Sequence, residues 1–445
     1  MKPVYCTSWG TSWGTSRSTR RLPVPSNTRV LVVGTTADYI AWIQSTCPRQ
    51  ALFFTDPEVR RTAAEPCPAA DDELCGNLSD FHRASRLIES HLHKYGLVLE
   101  GIACFDCESM ELAAVLANHF ALPYPSVQTV RNCRDKLQAK RLWRAHQLTT
   151  PPAAAIGSAD EAMDFFRAVG APVVLKPTSG SGSELVFKCL DAPSCAHSYR
   201  LIRRGLQQRS TNRLYRPRTP TTGPLIMAEA FSDGPEYSCD FIVEEGRAHV
   251  IRLARKIKTR GEPFGTILGY LLPAQLPATV SKNRFNRILY QSAAALGIER
   301  AVCMLDFIVT RDDMVLLELA PRPGGDCLPS LLRRGYRLDM LKLQLDFSRR
   351  KPPAPSPLVA DKPLVGLRLL ARRTGTLKGV DLNALKGDPR VLEIRLIRQP
   401  GHRITLPPAD YDSWLLGHMI FAPDDKADLN TQCSDLLDRI PVEVA

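Results

Sequence analysis

The sequence predicts a protein of mixed α/β and α+β type, and three observations lead to that prediction. Near the N-terminus, short apolar runs alternate with segments of helical spacing, which is typical of an open parallel sheet. Further along, apolar runs follow one another across polar turns, as in antiparallel hairpins. The length of 445 residues exceeds what one ordinary core accommodates, so we expect several domains.

The composition is that of a globular protein, with 44% hydrophobic and 23% charged residues. No run of 18 apolar residues occurs, so we expect no transmembrane helix and no membrane partner. Residues 1–28 are rich in Ser, Thr and Gly and have no apolar signal region. We expect a disordered leader there, with an organelle-transit signal as the alternative.

The cysteines and the net charge bear on location and partners. Thirteen Cys are scattered singly, often within apolar runs, as expected for reduced thiols in a cytoplasmic protein. Cys104 and Cys107 form one C-x-x-C without a second pair, which favours a structural role. A net charge of +12 suits nucleic acid, but the basic residues are spread along the chain and aromatics are only 7%. An anionic small molecule explains the charge equally well, and we expect no nucleic-acid partner.

The first predicted domain covers residues 29–128. "RVLVVG" and "ALFFTD" are short buried strands with the helix-like "ADYIAWIQ" between them, and "LVLEGIACFD" with "ESMELAAVLANHFAL" continues the alternation. Such a pattern predicts a Rossmann-like parallel sheet. The loop after its first strand, at residues 34–36, then lies at the sheet edge where ligands bind.

The central region, residues 129–348, is predicted to hold two subdomains. "RNCRDKLQAKRLWRAHQL" is a basic helix, and "APVVLKPTSGSGSELVFK" has the order strand, small-residue loop, strand. The polar, Pro-rich residues 205–224 are expected to form a mobile surface loop. A Pro-rich linker and a small α+β domain fill residues 349–445.

The stretch "MLDFIVTRDDMVLLELAPRPGG", residues 304–325, predicts a hairpin. With a three-residue loop at 311–313, residue 310 faces 314 and, by equal steps, Asp306 faces Glu318. Like charges directly opposed destabilise a sheet, so a buried pair must share a proton or hold a cation. Oxygen ligands favour Mg²⁺ or Mn²⁺ over zinc. The alternative is a solvated hairpin face with two unrelated acids.

Two lysines and a loop precede this hairpin in the chain. Lys136 lies on a helix, and Lys176 ends the apolar run "VVLK", where an ammonium group is costly unless it meets an anion. Small side chains in the next loop let backbone N–H groups approach phosphate oxygens. The loop residues are Thr178, Ser179, Gly180, Ser181, Gly182 and Ser183. Alone each feature is weak, but together with the acidic hairpin they describe a nucleoside triphosphate and its metal.

Six elements now stand in order: "RDK", "VVLKPTSGSGS", "IMAEAF", "GPEYSCDF", "LDF" and "LELAPRPGG". Their sequence and spacing resemble the ATP-grasp superfamily, in the carboxylate–amine ligase branch that includes amino-acid and dipeptide ligases. The resemblance implies an ATP-grasp fold with a pre-ATP-grasp domain, a core and a C-terminal lid-like domain. The chain has no G-x-x-x-x-G-K-[ST], so a P-loop protein has no support.

The resemblance also implies roles for individual residues. Lys136 and Lys176 would grip the α- and β-phosphates, and loop 178–183 would be the flap over them. Arg322 would face the γ-phosphate and an acyl phosphate. The remaining assignments are Glu229, Ala230 and Phe231 to the adenine-reading hinge, Glu236 to the ribose, Asp306 and Glu318 to the metal, and Lys256 and Lys258 to the transferred phosphate.

The implied reaction uses Mg-ATP to phosphorylate a substrate carboxylate and joins the acyl phosphate to an amine, releasing ADP and phosphate. Its setting would be peptide or specialised-metabolite biosynthesis, by a monomer or a homodimer. Ala320 departs from the family, which has a metal-binding Asn there, and Ile267 and Tyr270 stand in place of an acid and a His. A free amino-acid amine would then lack its countercharge. The alternatives are a bicarbonate-activating, carboxylase-like enzyme and a nucleotide-binding module without catalysis.

Overall fold

The computed structural model describes residues 27–215, 225–259, 261, 263–311, 313–351, 362–425 and 427–445. Most of the predicted leader, up to residue 26, and linker residues 352–361 lie outside this part of the chain. The first strand begins at Thr28, the last residue that was assigned to the leader. Within the described residues, no helix is long and apolar enough to cross a bilayer.

The N-terminal unit is a parallel sheet covered by helices, as the alternating pattern predicts. Its sheet has the order β3-β2-β1-β4, and the first helices pack against it. The elements are β1 (Thr28–Val33), α1 (Ala37–Thr46), β2 (Ala51–Thr55), α2 (Pro57–Thr62), β3 (Glu73–Cys75), α3 (Phe81–Tyr95), β4 (Val98–Ala103) and α4 (Met110–His119).

The predicted basic helix is two helices, α5 (Val127–Arg134) and α6 (Lys136–Ala145), because Asp135 interrupts it. The Asp135 backbone is extended, and its carboxylate accepts hydrogen bonds from the N–H groups of Leu137 and Gln138 at 3.0 Å each. This is an N-cap. Lys136 is therefore the first residue of α6.

A small subdomain follows, with an antiparallel sheet of order β5-β8-β6-β7 and two helices. The predicted surface loop 205–224 needs correction. Its first four residues are the end of a helix, and Leu214 and Tyr215 are buried. Residues 216–224 lie outside the described chain. The elements are β5 (Ala153–Ile156), α7 (Ala159–Val169), β6 (Val173–Pro177), β7 (Phe187–Cys189), α8 (Ala192–Gln208) and β8 (Ile226–Ala230).

An antiparallel sheet of eight strands runs through the rest of the described chain, in the order β13-β12-β9-β10-β11-β14-β18-β16. The central region contributes β9 (Glu236–Glu244), β10 (Arg247–Lys258), β11 (Ile267–Leu272), α9 (Lys282–Ala295), β12 (Ala301–Val309), β13 (Met314–Ala320), α10 (Leu328–Tyr336) and α11 (Met340–Ser348). The C-terminal segment contributes β14 (Leu364–Leu370), β15 (Gly375–Val380), β16 (Val391–Leu396), β17 (Arg403–Ile404), β18 (Leu415–Phe421), α12 (Leu429–Asp438) and β19 (Val442–Val444).

The C-terminal segment is thus joined to the core by a continuous backbone ladder. β14 pairs with β11 of the core, and only β15, β17 and β19 form a separate small sheet. The strands approach closely at this joint: a Cβ on Gly269 would lie 2.5 Å from the Gly366 carbonyl oxygen, so glycine is required there. The sequence had indicated a domain set apart by a linker.

Candidate active site

The hairpin places Asp306 and Glu318 directly opposite each other, as predicted, but by a different route. Val309 faces Met314, so the turn is one residue longer than expected and 310 does not face 314. Phe307 faces Leu316, whereas its neighbour Asp306 faces Glu318. The register therefore shifts between these two pairs, and Leu317 is an extra residue on β13. This β-bulge restores the Asp306–Glu318 pairing.

Each of these two acids has one lysine partner. Lys256 Nζ lies 2.6 Å from Asp306 Oδ2, and Lys136 Nζ lies 2.9 Å from Glu318 Oε2. Burial raises the pKa of Asp306 in spite of Lys256, and the acids Glu236 and Glu318 add to the rise. Burial also opposes ionisation of Glu318, but Lys136 holds its pKa below the ordinary value.

These acids fit a divalent metal ion. Asp306 Oδ1 is buried and, among the described residues, has no hydrogen-bond partner, which is a costly state for a carboxylate oxygen unless a cation joins it. In the described chain no group of three or more His, Cys, Asp or Glu is placed to hold a metal. Mg²⁺ needs no more than one or two carboxylates when phosphate oxygens complete its shell. Ala320 contributes no ligand.

A buried triad links the small subdomain to helix α6. Glu229 on β8 receives a hydrogen bond of 2.5 Å from Lys176 on β6, and its other oxygen faces Lys140 at 3.0 Å as an ion pair. Burial alone would raise the pKa of Glu229, but the two lysines lower it to about 2. Burial lowers the pKa of Lys140, which is 1% exposed, to about 8.

A second set of ion pairs spans strands β9 and β10. Glu236 receives hydrogen bonds from Lys256 at 2.7 Å and from Lys258 at 2.9 Å, and these lysines lower its pKa to about 2 against the effect of burial. The two lysines share a face because side chains alternate along a strand, whereas Ile257 between them is buried in the core. Lys256 therefore bridges Glu236 and Asp306.

The Ser/Gly loop contacts the first helix turn of α6. The N–H of Lys136 donates to the Thr178 carbonyl at 2.8 Å, and Lys136 Nζ donates to the Gly180 carbonyl at 2.8 Å. At the far side of the loop, Ser183 Oγ donates to the Gly265 carbonyl at 2.8 Å. Ser179, Ser181 and Gly182 lie between these anchors.

The predicted hinge requires a correction. The N–H groups of Ala230 and Phe231 donate to the carbonyls of Pro152 and Pro172, each at 2.9 Å. Neither N–H is free to read an adenine edge, and the side chain of Glu229 is committed to the two lysines.

Arg322 is held in a tight turn behind the hairpin. The buried Asp240 carboxylate accepts hydrogen bonds from the Gly324 N–H at 3.0 Å and from Arg252, and a Cβ on Gly324 would lie 2.4 Å from Arg252. The Arg322 guanidinium contacts Cys107 Sγ of the N-terminal unit at 2.9 and 3.2 Å. The predicted structural C-x-x-C thus includes a residue that touches the site.

The predicted charged residues therefore come together around one hairpin. Lys140 was missed, although its position four residues after Lys136 puts both on one helix face, a signal that the sequence contains. The contact of Cys107 with Arg322 depends on how two segments distant in the sequence pack, so no local sequence pattern indicates it.

The network contains five lysines, Lys136, Lys140, Lys176, Lys256 and Lys258, and four carboxylates, Glu229, Glu236, Asp306 and Glu318. Residues 169–330, which contain most of it, match the family described as ATP-grasp domain. The chain carries an ATP-grasp domain and has the ATP-grasp fold. The prediction drawn from its six motifs is confirmed.

Two relatives are similar to parts of the chain. The chain is 25% identical over 299 residues to the uncharacterized protein y4rH of Sinorhizobium fredii, covering 64% of the chain and 56% of that protein. It is 26% identical over 213 residues to a D-alanine–D-alanine ligase of Acidovorax ebreus, covering 46% and 58%. The chain thus spans somewhat over half of the length of these relatives.

Among solved structures, the L-amino acid ligase from Bacillus licheniformis superposes with a TM-score of 0.77. The superposition covers 95% of this chain and 100% of that one, at 18% identity. At this identity the similarity concerns the fold, which is shared along almost the whole ATP-grasp chain.

Proposed function

We propose that the protein is an ATP-dependent carboxylate–amine ligase. The observation that carries the proposal is the charge arrangement around the hairpin: four carboxylates hold five lysines beside Arg322, within a fold of the ATP-grasp type. Such a set can exchange its internal partners for the phosphates of ATP. The two ligases named above support the same reaction class.

In the proposed reaction, a substrate carboxylate oxygen attacks the γ-phosphorus of ATP, and the bond to the β-γ bridging oxygen breaks to release ADP. An amine nitrogen then attacks the acyl carbon, phosphate leaves, and the amine loses a proton. The first step brings two anions together, so positive charge must be in place around them. Lys136 and Lys256 pair directly with Glu318 and Asp306. Lys256, Lys258 and Arg322 are the cations that we propose meet the transferred phosphate.

Asp306 and Glu318 are the residues that would hold Mg²⁺ or Mn²⁺. A divalent ion bound there supplies charge neutralisation for the phosphates and for the leaving oxygen. The orphaned Asp306 Oδ1 and the lysine partner of each acid support this assignment. With an ion present, Lys136 and Lys256 can turn from these carboxylates toward phosphate oxygens.

A panel assay tests the proposal. Purified protein is mixed with Mg-ATP, carboxylates and amines, and the release of ADP and phosphate is followed together with product mass. We expect ADP only when an acid and an amine are both present, and a product heavier than the acid by the amine minus water. ADP release that depends on bicarbonate alone would contradict the ligase and favour a carboxylase-like reaction. ATP binding without turnover in every mixture would also contradict it.

A further inference from the structure

Strand β16 is the last strand of the eight-stranded sheet, and in the part of the chain that the structure describes no strand pairs with its outer side. All of its residues are partly exposed, and Ile397, which follows it, is 42% exposed. The backbone N–H and C=O groups along such an edge can pair with a further strand. β16 is therefore a candidate docking surface.

The unpaired backbone groups of this edge belong to Ile394 and Leu396. The Ile397 N–H donates to a carbonyl of β18 at 2.9 Å, and Arg395 faces His418 in the same ladder. Residues of an antiparallel ladder alternate between bonding to the neighbouring strand and pointing away from it. Since Arg395 and Ile397 bond to β18, the N–H and C=O groups of Ile394 and Leu396 point outward.

The opposite edge of the same sheet is covered. On β13 the Leu316 N–H donates to the Thr149 carbonyl at 2.9 Å, and Thr150 Oγ1 donates to the Leu316 carbonyl at 3.0 Å. Proteins often protect a free edge with lysine or proline, but β16 contains neither. Its one bulge lies at the start of the strand, before Glu393, so the remaining residues form a regular edge.

The edge sequence "VLEIRLI" is complementary to itself. Two antiparallel copies related by a two-fold axis must centre on one residue, because directly opposed residues lie on the same face of a sheet. Centred on Ile394, Glu393 of each copy faces Arg395 of the other, and Leu392 faces Leu396. Centred on Glu393 or on Arg395, the pairing would instead oppose two like charges.

The backbone and the side chains select the same register. The pairing centred on Ile394 uses the outward N–H and C=O groups of Ile394 and Leu396, which are the unpaired ones. Glu393 has no ion-pair partner within the described chain, and the Arg395 side chain, paired with Asp38 at 3.1 Å, is 33% exposed. Each arginine can therefore accept a second carboxylate from another copy.

We propose that β16 is a homodimer interface, in which two copies of this chain pair their β16 edges antiparallel about a two-fold axis through Ile394. The two Ile394 residues exchange both backbone hydrogen bonds, and two Glu393–Arg395 ion pairs lie on either side of them. The two eight-stranded sheets then form one continuous sheet. This inference does not depend on the proposed reaction.

A charge reversal at Glu393 tests the interface. The full-length wild type should sediment as a dimer over a dilution series in analytical ultracentrifugation. Glu393→Arg opposes arginine to arginine twice, so the dimer dissociation constant should rise at least roughly tenfold. The matched control is Glu443→Arg, which makes the same change on β19 of the separate small sheet and should leave the dimer intact.

A second variant tests the backbone pairing independently of charge. Ile394→Pro removes an outward N–H and leaves the bonds of Arg395 and Ile397 to β18 in place, since proline is tolerated where the N–H of an edge strand faces solvent. It should be monomeric with an unchanged circular dichroism spectrum. A wild type that is monomeric at every concentration would overturn the proposal, and so would a dimer that survives both Glu393→Arg and Ile394→Pro.

Complementary variants test the register itself. Arg395→Glu, combined with Asp38→Asn to avoid a clash of acids, opposes glutamate to glutamate and should be monomeric. Mixed with Glu393→Arg, it presents opposite charges at both contacts, so a heterodimer of the two variants should form. If each variant is folded and monomeric but their mixture stays monomeric, the register centred on Ile394 is wrong.

Discussion

The hairpin network and a second group of ion pairs, the seam cluster, use different cations. The seam cluster consists of the pairs Arg368–Asp326 and Arg395–Asp38 beside His418 on the C-terminal strands. Around the hairpin every basic partner of a carboxylate is a lysine. Glu229 and Glu236 each have two lysine partners, and Glu236 shares Lys256 with Asp306. In the seam each acid has an arginine of its own. A lysine is a compact charge on a flexible stem, whereas arginine is a planar fork that keeps a fixed geometry. We therefore expect the hairpin lysines to exchange partners when a ligand binds, and the arginine pairs to keep theirs.

The largest effect is expected at Glu318, the hairpin acid that faces Asp306. Glu318→Gln removes one negative charge from the hairpin and frees Lys136 from its partner, so ADP formation should fall by at least roughly 100-fold, the scale for a group that stabilises developing charge. Steady-state kinetics with Mg-ATP measure this, and circular dichroism checks the fold. Glu443→Gln, an acid of β19 far from the hairpin, serves as the control. Unchanged turnover would remove Glu318 from the site.

Exchange of partners predicts a role for Lys140. When Lys176 turns to a phosphate, Lys140 remains as the counterion of Glu229; in Lys140→Met that carboxylate would be left buried and unpaired. KM for ATP should therefore rise roughly tenfold, equivalent to about 1.4 kcal/mol. The double variant Lys140→Met with Glu229→Gln should recover part of the loss, because no buried carboxylate remains. Equal KM in the wild type and Lys140→Met would show that Lys176 does not leave Glu229.

A smaller effect is expected at the contact between Arg322 and Cys107 of the N-terminal unit. Cys107→Ala removes the sulfur that lies 2.9 Å from Arg322, so kcat should fall by roughly 3- to 10-fold, while Cys107→Ser should restore most of it. Cys133→Ala, at a buried thiol of the core, is the control for packing alone. If both alanine variants lose kcat equally, the contact with Arg322 has no special part.

The smallest effect is on stability in acid. Because the folded pKa of Glu229 is about 2, below its value in the unfolded chain, its stabilising contribution is complete above pH 4.5 and is lost as the pH falls toward 2. Between pH 4.5 and 3.5 the wild type should lose about 1 kcal/mol from this carboxyl. Urea denaturation should show a flatter pH profile for Glu229→Gln than for the exposed-site control Glu299→Gln. Parallel profiles would mean that Glu229 is not held as a charged group.

The sequence predicted the hairpin network better than it predicted the seam cluster. The hairpin network was predicted because its parts are short local motifs: a strand ending in Lys176, a loop of small residues, and two acids flanking one turn. The Asp306–Glu318 pairing held even though the turn length was wrong, since a bulge compensates by one residue. The boundary within "RNCRDKLQAK" was missed because a basic, periodic run conceals an N-cap aspartate.

The seam cluster could not have been predicted in the same way. Arg368, Arg395 and His418 become neighbours only through the pairing of β14, β18 and β16, and Asp38 joins them from a helix more than 300 residues away. In the sequence, none of these residues is distinguished from an ordinary surface residue. The hinge failed for a related reason, because the partners of the Ala230 and Phe231 N–H groups are prolines distant in the chain.

The continuous eight-stranded sheet has a consequence for re-engineering the protein. When segments are exchanged between relatives to alter substrate choice, the boundary is usually placed in a linker. In this protein the Pro-rich stretch before residue 362 is the obvious linker. Such an exchange would move Arg368, Arg395 and His418 into the new protein. It would also break the native pairing of β14 with β11, because β11 would come from the recipient. The safer exchange transplants β11 with β14, β18 and β16, so that Gly269 and Gly366 travel together.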